Sequence, residues 1–313
     1  MKALIIGAAG FVGGYLAEHL LTCGYDVCAT KLEQEKVCFD DRVSVSDLDI
    51  LNEEAVFELL KCERPDMIFH LAAQSSVKVS WERPGLTADI NVRGTINVLE
   101  AAHRASERVR ILLVGSGEEY GYLKPEDIPV KEDTLLRAGN IYAVTKACQG
   151  MLGEVYSRAY GMDIIMVRAF NHIGPKQAPQ FVISDFCRQV SLIEEGLREP
   201  VMYVGNLSAQ RDFTDVRDIA RAYEILMRKG KSGETYNVGS GKAVSIESML
   251  DKILSHSEAK IEVRTDPSKL RPSDVPVIAA DISKITADTG WKPEISVDET
   301  IINILDYWRR TKK

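Results

Sequence analysis

No run of apolar residues in this chain approaches the length of a membrane span, and no apolar leader opens it. A helical membrane protein is therefore excluded, and a cytoplasmic protein is expected. Six cysteines occur (23, 28, 38, 62, 148 and 187), with no C-x-x-C pair and no zinc-finger spacing. Free thiols in a reducing compartment follow, and a structural zinc site does not. Basic excess is also missing: 39 Lys and Arg stand against 46 Asp and Glu, a net charge of −7. That balance argues against a nucleic-acid backbone as the main partner. Histidine is scarce, and neither His70 nor His172 has a partner at metal-ligand spacing, so no metal is expected. Internal repeats and low-complexity tracts are lacking too. What remains is 313 residues, 45% hydrophobic and 27% charged, enough for one large domain or two intimate ones.

The N-terminal stretch carries the first specific signal. Ala3-Leu4-Ile5-Ile6 reads as a strand buried on both faces. It leads through Gly7-Ala8-Ala9-Gly10-Phe11-Val12-Gly13 into Tyr15–Leu21, whose periodicity is helical. Glycines there permit a tight turn and close approach of backbone to a pyrophosphate, while the helix N-terminus favours the anion. The spacing is G-x-x-G-x-x-G, and strand, turn and helix follow in the order that dinucleotide binding requires. A second strand, Asp26–Thr30, ends at Thr30-Lys31 with no acid until Glu33. An acid at that point suits the ribose 2′-hydroxyl of NAD, and a base suits the 2′-phosphate of NADP. Lys31 leans the choice toward NADP, with NAD as the alternative.

Strand and helix signals continue to alternate. Asn52 is placed to cap a helix over 53–62, Met67–Ala73 reads as a buried strand, 87–105 as a long helix and Arg110–Val114 as a strand. Then come a helix around Tyr142 and the strand Asp163–Val167. Such alternation predicts parallel βαβ units and a doubly wound α/β sheet, with a smaller α/β substrate-binding lobe after it. Turns become frequent from Gly174, yet Asp215–Asn237 again reads as helix then strand. The expected division is 1–170 plus about 209–243 for the dinucleotide-binding domain, and 171–208 with 244–313 for the second lobe. Glu299–Trp308 reads as an amphipathic helix that packs rather than recruits.

Tyr142 and Lys146 lie one turn apart if their segment is helical. A cation that near favours phenolate, so the Tyr142 phenol is expected below its ordinary pKa and fit for proton transfer to a carbonyl oxygen. Ser116 ends the strand at 110–114, and strand C-termini face the ligand crevice of a doubly wound sheet. Its hydroxyl is therefore expected beside the reacting oxygen.

Gly7/Gly10/Gly13, Ser116 and Tyr142/Lys146, in that order, resemble the extended short-chain dehydrogenase/reductase superfamily over nearly the whole chain. Leu71–Val77, Phe170–Pro175, Val204–Leu207, Arg211–Phe213, Leu270–Asp274 and Gly290–Pro293 resemble its GDP-mannose branch. The resemblance implies a catalytic set of Ser116, Tyr142 and Lys146. It implies a cofactor over Gly7, Gly10, Phe11, Val12 and Gly13, with Thr30 and Lys31 at the ribose and Asp49 and Ile50 near the adenine. Leu71, Ala72 and Ala73 would run along that cofactor, and Lys146 would hold the nicotinamide ribose. A GDP-linked hexose would meet Ser75, Ser116, Glu118, Asn171, Arg211 and Arg271, the two arginines pairing with phosphate oxygens. A homodimer through two helices, one bearing Tyr142, is usual in the superfamily.

Two reactions of the branch compete. Reduction of the C4 ketone of GDP-4-dehydro-6-deoxy-D-mannose to GDP-D-rhamnose is expected here. The 4,6-dehydratases of the branch carry an Arg/Ser-rich insertion after the second strand, and Lys31–Lys36 passes directly into Val37. Dehydration of GDP-mannose stays open because Glu118 stands where that reaction needs a base. Epimerisation of another nucleotide sugar uses the same three residues and stays open as well.

Overall fold

The computed structural model describes residues 1–105, 108–269 and 275–311. Strands and helices alternate through the first half: β1 (Lys2–Ile6), α1 (Phe11–Thr22), β2 (Asp26–Lys31), β3 (Ser44–Asp47), α2 (Glu53–Glu63) and β4 (Met67–His70). They continue with α3 (Val77–Glu82), α4 (Pro84–Ala88), α5 (Gly94–Ala105), β5 (Arg110–Ser116), α6 (Ile141–Tyr160) and β6 (Asp163–Ala169). Next come β7 (Asn171–Ile173), α7 (Val182–Glu194), β8 (Val201–Val204), β9 (Gln210–Asp215), α8 (Val216–Lys229) and β10 (Thr235–Val238). The chain finishes with β11 (Ala243–Ser245), α9 (Ile246–Ser255), β12 (Glu262–Thr265), α10 (Ser283–Thr289) and α11 (Val297–Arg310).

Seven parallel strands form the central sheet in the order β10-β6-β5-β4-β1-β2-β3. Side chains alternate across a strand, so β1 sends Ala3 and Ile5 to one apolar layer and Leu4 and Ile6 to the other. The first layer packs under α1, α8 and α10 through Leu16, Leu20, Tyr223, Leu226 and Trp291. The second packs under α2, α5 and α6 through Leu60, Val98, Leu99 and Tyr156. This is the doubly wound α/β sheet that the alternation of elements predicts. Asn52 caps α2 as expected, its Oδ1 accepting the Ala55 N–H at 3.1 Å.

The helical pattern over 87–105 is not one continuous helix. Between α4 and α5 the backbone opens into a π-helical turn at Asp89–Arg93, which carries Asn91 into the interior. Asn91 Nδ2 donates to Thr145 Oγ1 on α6 at 2.9 Å and to the Gln74 carbonyl at 3.1 Å. Its Oδ1 accepts the Gln74 N–H at 2.8 Å. A widened turn with a buried polar side chain ties the loop after β4 to the helix bearing Tyr142.

Beyond β6 the strands form a three-stranded sheet, β11-β9-β7, and a two-stranded one, β12-β8. A separate apolar cluster joins α7, α9 and α11 through Phe186, Val190, Met249, Ile253, Ile304 and Trp308. Strand β9 runs straight into α8 at Asp215, whose carboxylate caps that helix by accepting the Arg217 N–H at 2.8 Å. From there α8 returns to the central sheet beside α1, and β10 completes the sheet edge.

Candidate functional site

Neighbouring strands β1 and β4 send their following segments to opposite faces of the sheet, so a crevice opens beyond their C-terminal ends. The glycine turn fills it closely. Gly7 has φ +85°, and a Cβ there would stand 2.5 Å from the Ala72 Cα. A Cβ on Gly13 would stand 2.2 Å from the Ala8 carbonyl oxygen. Thr30 holds the turn from the side: its Oγ1 accepts the Gly7 N–H at 3.1 Å and its carbonyl accepts the Ala8 N–H at 2.8 Å. No side chain caps α1 at Gly10. Helix N–H groups beside close-packed glycines fit a pyrophosphate.

Two contacts tie this turn to the segment after β6. The His172 ring stacks on Phe11 with centroids 5.9 Å apart and planes within 7°. Tyr15 Oη donates to the Pro175 carbonyl at 2.8 Å. Burial pushes the His172 imidazole below its ordinary pKa. His172 is thus an anchor between β7 and the glycine turn. Lys176, next to Pro175, has φ +68°, a left-handed conformation unusual for a residue with a side chain.

At the end of β2 the Lys31 ammonium reaches Asp47 Oδ1 at 2.5 Å. A carboxylate therefore stands beside the base there. Asp49 Oδ1 turns back to accept the Leu51 N–H at 2.9 Å. Ile50 is buried against Gly94, where a Cβ would stand 2.4 Å from its Cδ1. Leu71, Ala72 and Ala73 follow β4 along the same cleft.

Ser116, Tyr142 and Lys146 come together where β5 ends. Asn140 caps α6, its Oδ1 accepting the Ala143 N–H at 2.8 Å, and so sets the start of the helix one residue before Tyr142. The Ser116 hydroxyl lies close enough to the Tyr142 phenol to favour its phenolate form. Ser116 Oγ also accepts the Glu118 N–H at 3.2 Å. Lys146 Nζ donates to the Val114 carbonyl at 2.5 Å and to Gln149 Oε1 at 2.8 Å.

The expected fall in the Tyr142 pKa does not occur in the chain by itself. Burial pushes the phenol above its ordinary value, and Glu118 and Glu119 add to the rise against the lowering effect of the Ser116 hydroxyl. Burial lowers Lys146 to about 8, with Glu119 opposing that fall. The ammonium's hydrogen bonds run to Val114 and Gln149 rather than to the phenol, and desolvation sets the Tyr142 shift.

The residues expected at the substrate line the same cleft, about 2820 Å3 in volume. Ser75 and Asn171 are exposed to it. Glu118 is tethered through its Oε2, which accepts from Asn140 Nδ2 at 3.1 Å. Arg211 is buried, its Nη1 donating to the Gln210 carbonyl at 2.9 Å and the Val275 carbonyl at 2.7 Å. Arg271 lies outside the described residues. The volume exceeds the ~300–1,000 Å3 of an ordinary small-molecule pocket and suits two large ligands. Two buried polar atoms on its wall, Tyr223 Oη and Gln177 Oε1, have no partner among the described residues. A bound polar group would satisfy them, so the cradle and the orphaned atoms both fit a dinucleotide beside a sugar nucleotide.

Among the described residues one His/Cys/carboxylate group gathers three ligand types, His19, Cys23 and Glu224, within 4.8 Å. Its carboxylate is already engaged: Glu224 Oε1 accepts from Arg228 at 2.7 Å and from Tyr25 at 3.0 Å. No described helix is long and apolar enough to cross a membrane.

Comparison with known proteins agrees with this geometry. A family model described as GDP-mannose 4,6 dehydratase matches residues 4–304. GDP-6-deoxy-D-mannose reductase of Pseudomonas aeruginosa is 29% identical, over 98% of this chain and 97% of its own. The solved structure of RMD from Pseudomonas aeruginosa complexed with NADPH superposes with a TM-score of 0.87 at 28% identity, covering 99% of both chains. UDP-glucose 4-epimerase of Thermus thermophilus, solved in complex with NAD, gives a TM-score of 0.89 at 29% identity and covers 100% of both. A family match running almost from end to end makes this chain a member of the GDP-mannose 4,6-dehydratase family and an enzyme of the extended short-chain dehydrogenase/reductase superfamily.

Proposed function

We propose that this enzyme reduces the C4 ketone of GDP-4-dehydro-6-deoxy-D-mannose with NADPH, forming GDP-D-rhamnose. The observation that carries the reading is the Tyr142 phenol, kept protonated by burial and set beside Ser116 in a cleft wide enough for cofactor and sugar nucleotide. A protonated phenol is an acid in waiting, which is what ketone reduction needs. NADPH supplies the hydride. Tyr142 gives its proton to the C4 oxygen as negative charge grows there, and Ser116 donates a hydrogen bond to the same oxygen. Lys146 holds the nicotinamide ribose and stabilises the phenolate left behind. Gly7 to Gly13 and the start of α1 hold the pyrophosphate, Lys31 faces the adenosine ribose, and Arg211 with Arg271 takes the diphosphate of the sugar nucleotide.

NADP is favoured over NAD because a base ends β2, and because a relative so similar in fold is solved with NADPH. NAD is the second choice, since Asp47 draws Lys31 toward itself and another neighbour holds NAD. The enzyme works in the cytoplasm. A homodimer through α5 and α6 belongs to the same reading: Val144, Met151 and Val155 form an exposed apolar stripe along α6.

Dehydration of GDP-mannose is the second reading, favoured by Glu118 in the cleft beside Ser116. The twelve or so residues joining β2 to β3 leave no room for the insertion of the dehydratases, which favours the reductase. Two incubations separate them. NADPH consumption with GDP-4-dehydro-6-deoxy-D-mannose supports reduction, and a 4-keto product from GDP-mannose with NADP+ supports dehydration. Reaction with neither removes both.

A further inference from the structure

Behind Ser116 and Lys146 lies a buried ion pair that the mechanism above does not use. Glu119 is 1% exposed, and its Oε2 accepts from Arg168 Nε at 3.0 Å. Its Oε1 accepts the backbone N–H of Ser116 at 2.7 Å. The backbone makes space for the carboxylate: a Cβ on Gly115 would stand 2.3 Å from Glu119 Oε1, and one on Gly150 would stand 3.9 Å from Oε2. Arg168 is fixed in turn, its Nη1 donating to Tyr120 Oη at 3.0 Å and to the Glu132 carbonyl at 2.8 Å. Tyr120 Oη donates to Asn237 Oδ1 at 2.7 Å, and the Asn237 N–H donates to Glu132 Oε1 at 2.9 Å. A chain of fully engaged polar groups therefore runs from the far edge of the sheet to the amide of the catalytic serine.

We propose that Glu119, clamped by Arg168, is a positioning residue for the catalytic set: it fixes the Ser116 turn through the backbone amide and places a negative charge behind Lys146. The proposal rests on reading Tyr142 as the proton donor. An apolar side chain at 119 would fill the space without reaching the Ser116 N–H, and a buried ion pair adds little net stability over such a substitute. The position is better explained by orientation and charge.

Several charged or titratable groups face Glu119. Arg168 comes from β6, Lys146 and Tyr142 from α6, and Glu118 and Tyr120 from its own turn; Glu132 approaches through the clamp on Arg168. His70, on β4, senses Lys146 but is held neutral by burial, at about 3. Burial raises the Glu119 carboxyl itself, against Arg168, the Ser116 N–H and Lys146. Its anion favours the charged form of Lys146 and disfavours the Tyr142 phenolate. Removing the charge should therefore lower both proton affinities.

Glu119→Gln keeps an acceptor for the Ser116 N–H and removes the charge, together with the oxygen that accepts from Arg168 Nε. Two readouts apply. Competitive acetylation with acetic anhydride, with Lys146 read by mass spectrometry across pH, needs neither substrate nor cofactor. The Lys146 midpoint is expected to fall by about one pH unit in Glu119→Gln. In turnover of GDP-4-dehydro-6-deoxy-D-mannose with NADPH, kcat should fall on the order of tenfold to a hundredfold with KM little changed. Its alkaline limb should move to lower pH. An unmoved Lys146 midpoint, or a kcat within twofold of wild type, overturns the proposal. If wild type does not turn over this substrate, the reduction reading fails, and the Lys146 midpoint alone decides the place of Glu119. Should Glu119→Gln fail to fold with Arg168 unpaired, Glu119→Leu combined with Arg168→Met replaces the pair by apolar groups of similar reach. That variant should fold, bind NADPH and show the same loss of kcat. Wild-type kcat in it overturns the proposal equally.

Discussion

The Tyr142 phenol stands beside the Ser116 hydroxyl at the C-terminal edge of the central sheet, and both line the cleft that the glycine turn enters. Removing the phenolic oxygen alone should stop proton delivery without disturbing packing. Tyr142→Phe is expected to lose on the order of 10²–10⁴ in kcat, the usual worth of a general acid. Its NADPH affinity, followed by cofactor fluorescence, should stay within about threefold of wild type, well under the ~1.4 kcal/mol that a tenfold change represents. Retained turnover would take Tyr142 out of the mechanism.

Lys146 sets the pH dependence. Burial brings its ammonium down to about 8, whereas burial takes the Tyr142 phenol up. As pH rises, Lys146 is therefore the first of the two to lose its proton. NADPH affinity and kcat should be level through neutral pH and decline as pH passes about 8. In Lys146→Met the decline should vanish together with most of the activity. A wild-type profile level to pH 10 or so would contradict a lysine lowered by desolvation.

Gly13 is the tightest of the three glycines in the turn. A Cβ there would meet the Ala8 carbonyl oxygen at 2.2 Å, and because the atoms it meets are all Ala8 backbone no side-chain rotation relieves the clash. Gly13→Ala should push α1 away from β1 and weaken NADPH binding at least about tenfold, because both the turn and the helix N-terminus must stay in place. Titration of NADPH fluorescence reads it. Gly14→Ala, where nothing lies within 4 Å, is the control and should bind normally.

Much of this was open to reading in the residues themselves, for local reasons. Ala3-Leu4-Ile5-Ile6 is apolar without alternation because both faces of β1 are covered, and that pattern needs no tertiary knowledge. The glycine turn and the Tyr142/Lys146 spacing are likewise short-range. Asn91 was hidden because a π-turn replaces regular helix where its side chain bonds across to α6, a long-range contact. The same holds for β7, β8, β9, β11 and β12, three to six residues each, whose pairing depends on distant partners. The proton affinity of Tyr142 was misjudged because spacing shows a nearby cation but not the depth of burial. Glu119 and Arg168 look like two surface charges until β5 and β6 place them together.

Lys31 gives a prediction about cofactor choice. Its ammonium sits at the end of β2 with Asp47 at 2.5 Å. A charge-assisted bond to a 2′-phosphate is worth about 1.5–3 kcal/mol, so Lys31→Ala should cost about tenfold or more in preference for NADPH over NADH. Asp47→Asn should move the preference the other way by freeing the lysine. The ratio of kcat/KM for the two cofactors measures it, and an unchanged ratio in both variants would place the discrimination elsewhere.

Trp291 tests the architecture apart from the chemistry. It is 4% exposed and packs in the layer shared with α1, α8 and α10, its Nε1 donating to the Asp218 carbonyl at 3.2 Å. Trp291→Ala should destabilise the chain by about 3–5 kcal/mol in denaturant unfolding. KM for the cofactor, measured well below the unfolding transition, should hold. A loss under about 1 kcal/mol would mean that the site collapses around the gap.

The most direct test follows the hydride. With NADPH deuterated at the transferring position and GDP-4-dehydro-6-deoxy-D-mannose as substrate, the nucleotide-sugar product should carry one deuterium, at C4 of the hexose, and NADP+ should accumulate in equal amount. Product without label, label at any other carbon, or no net oxidation of the cofactor would contradict the proposed reduction.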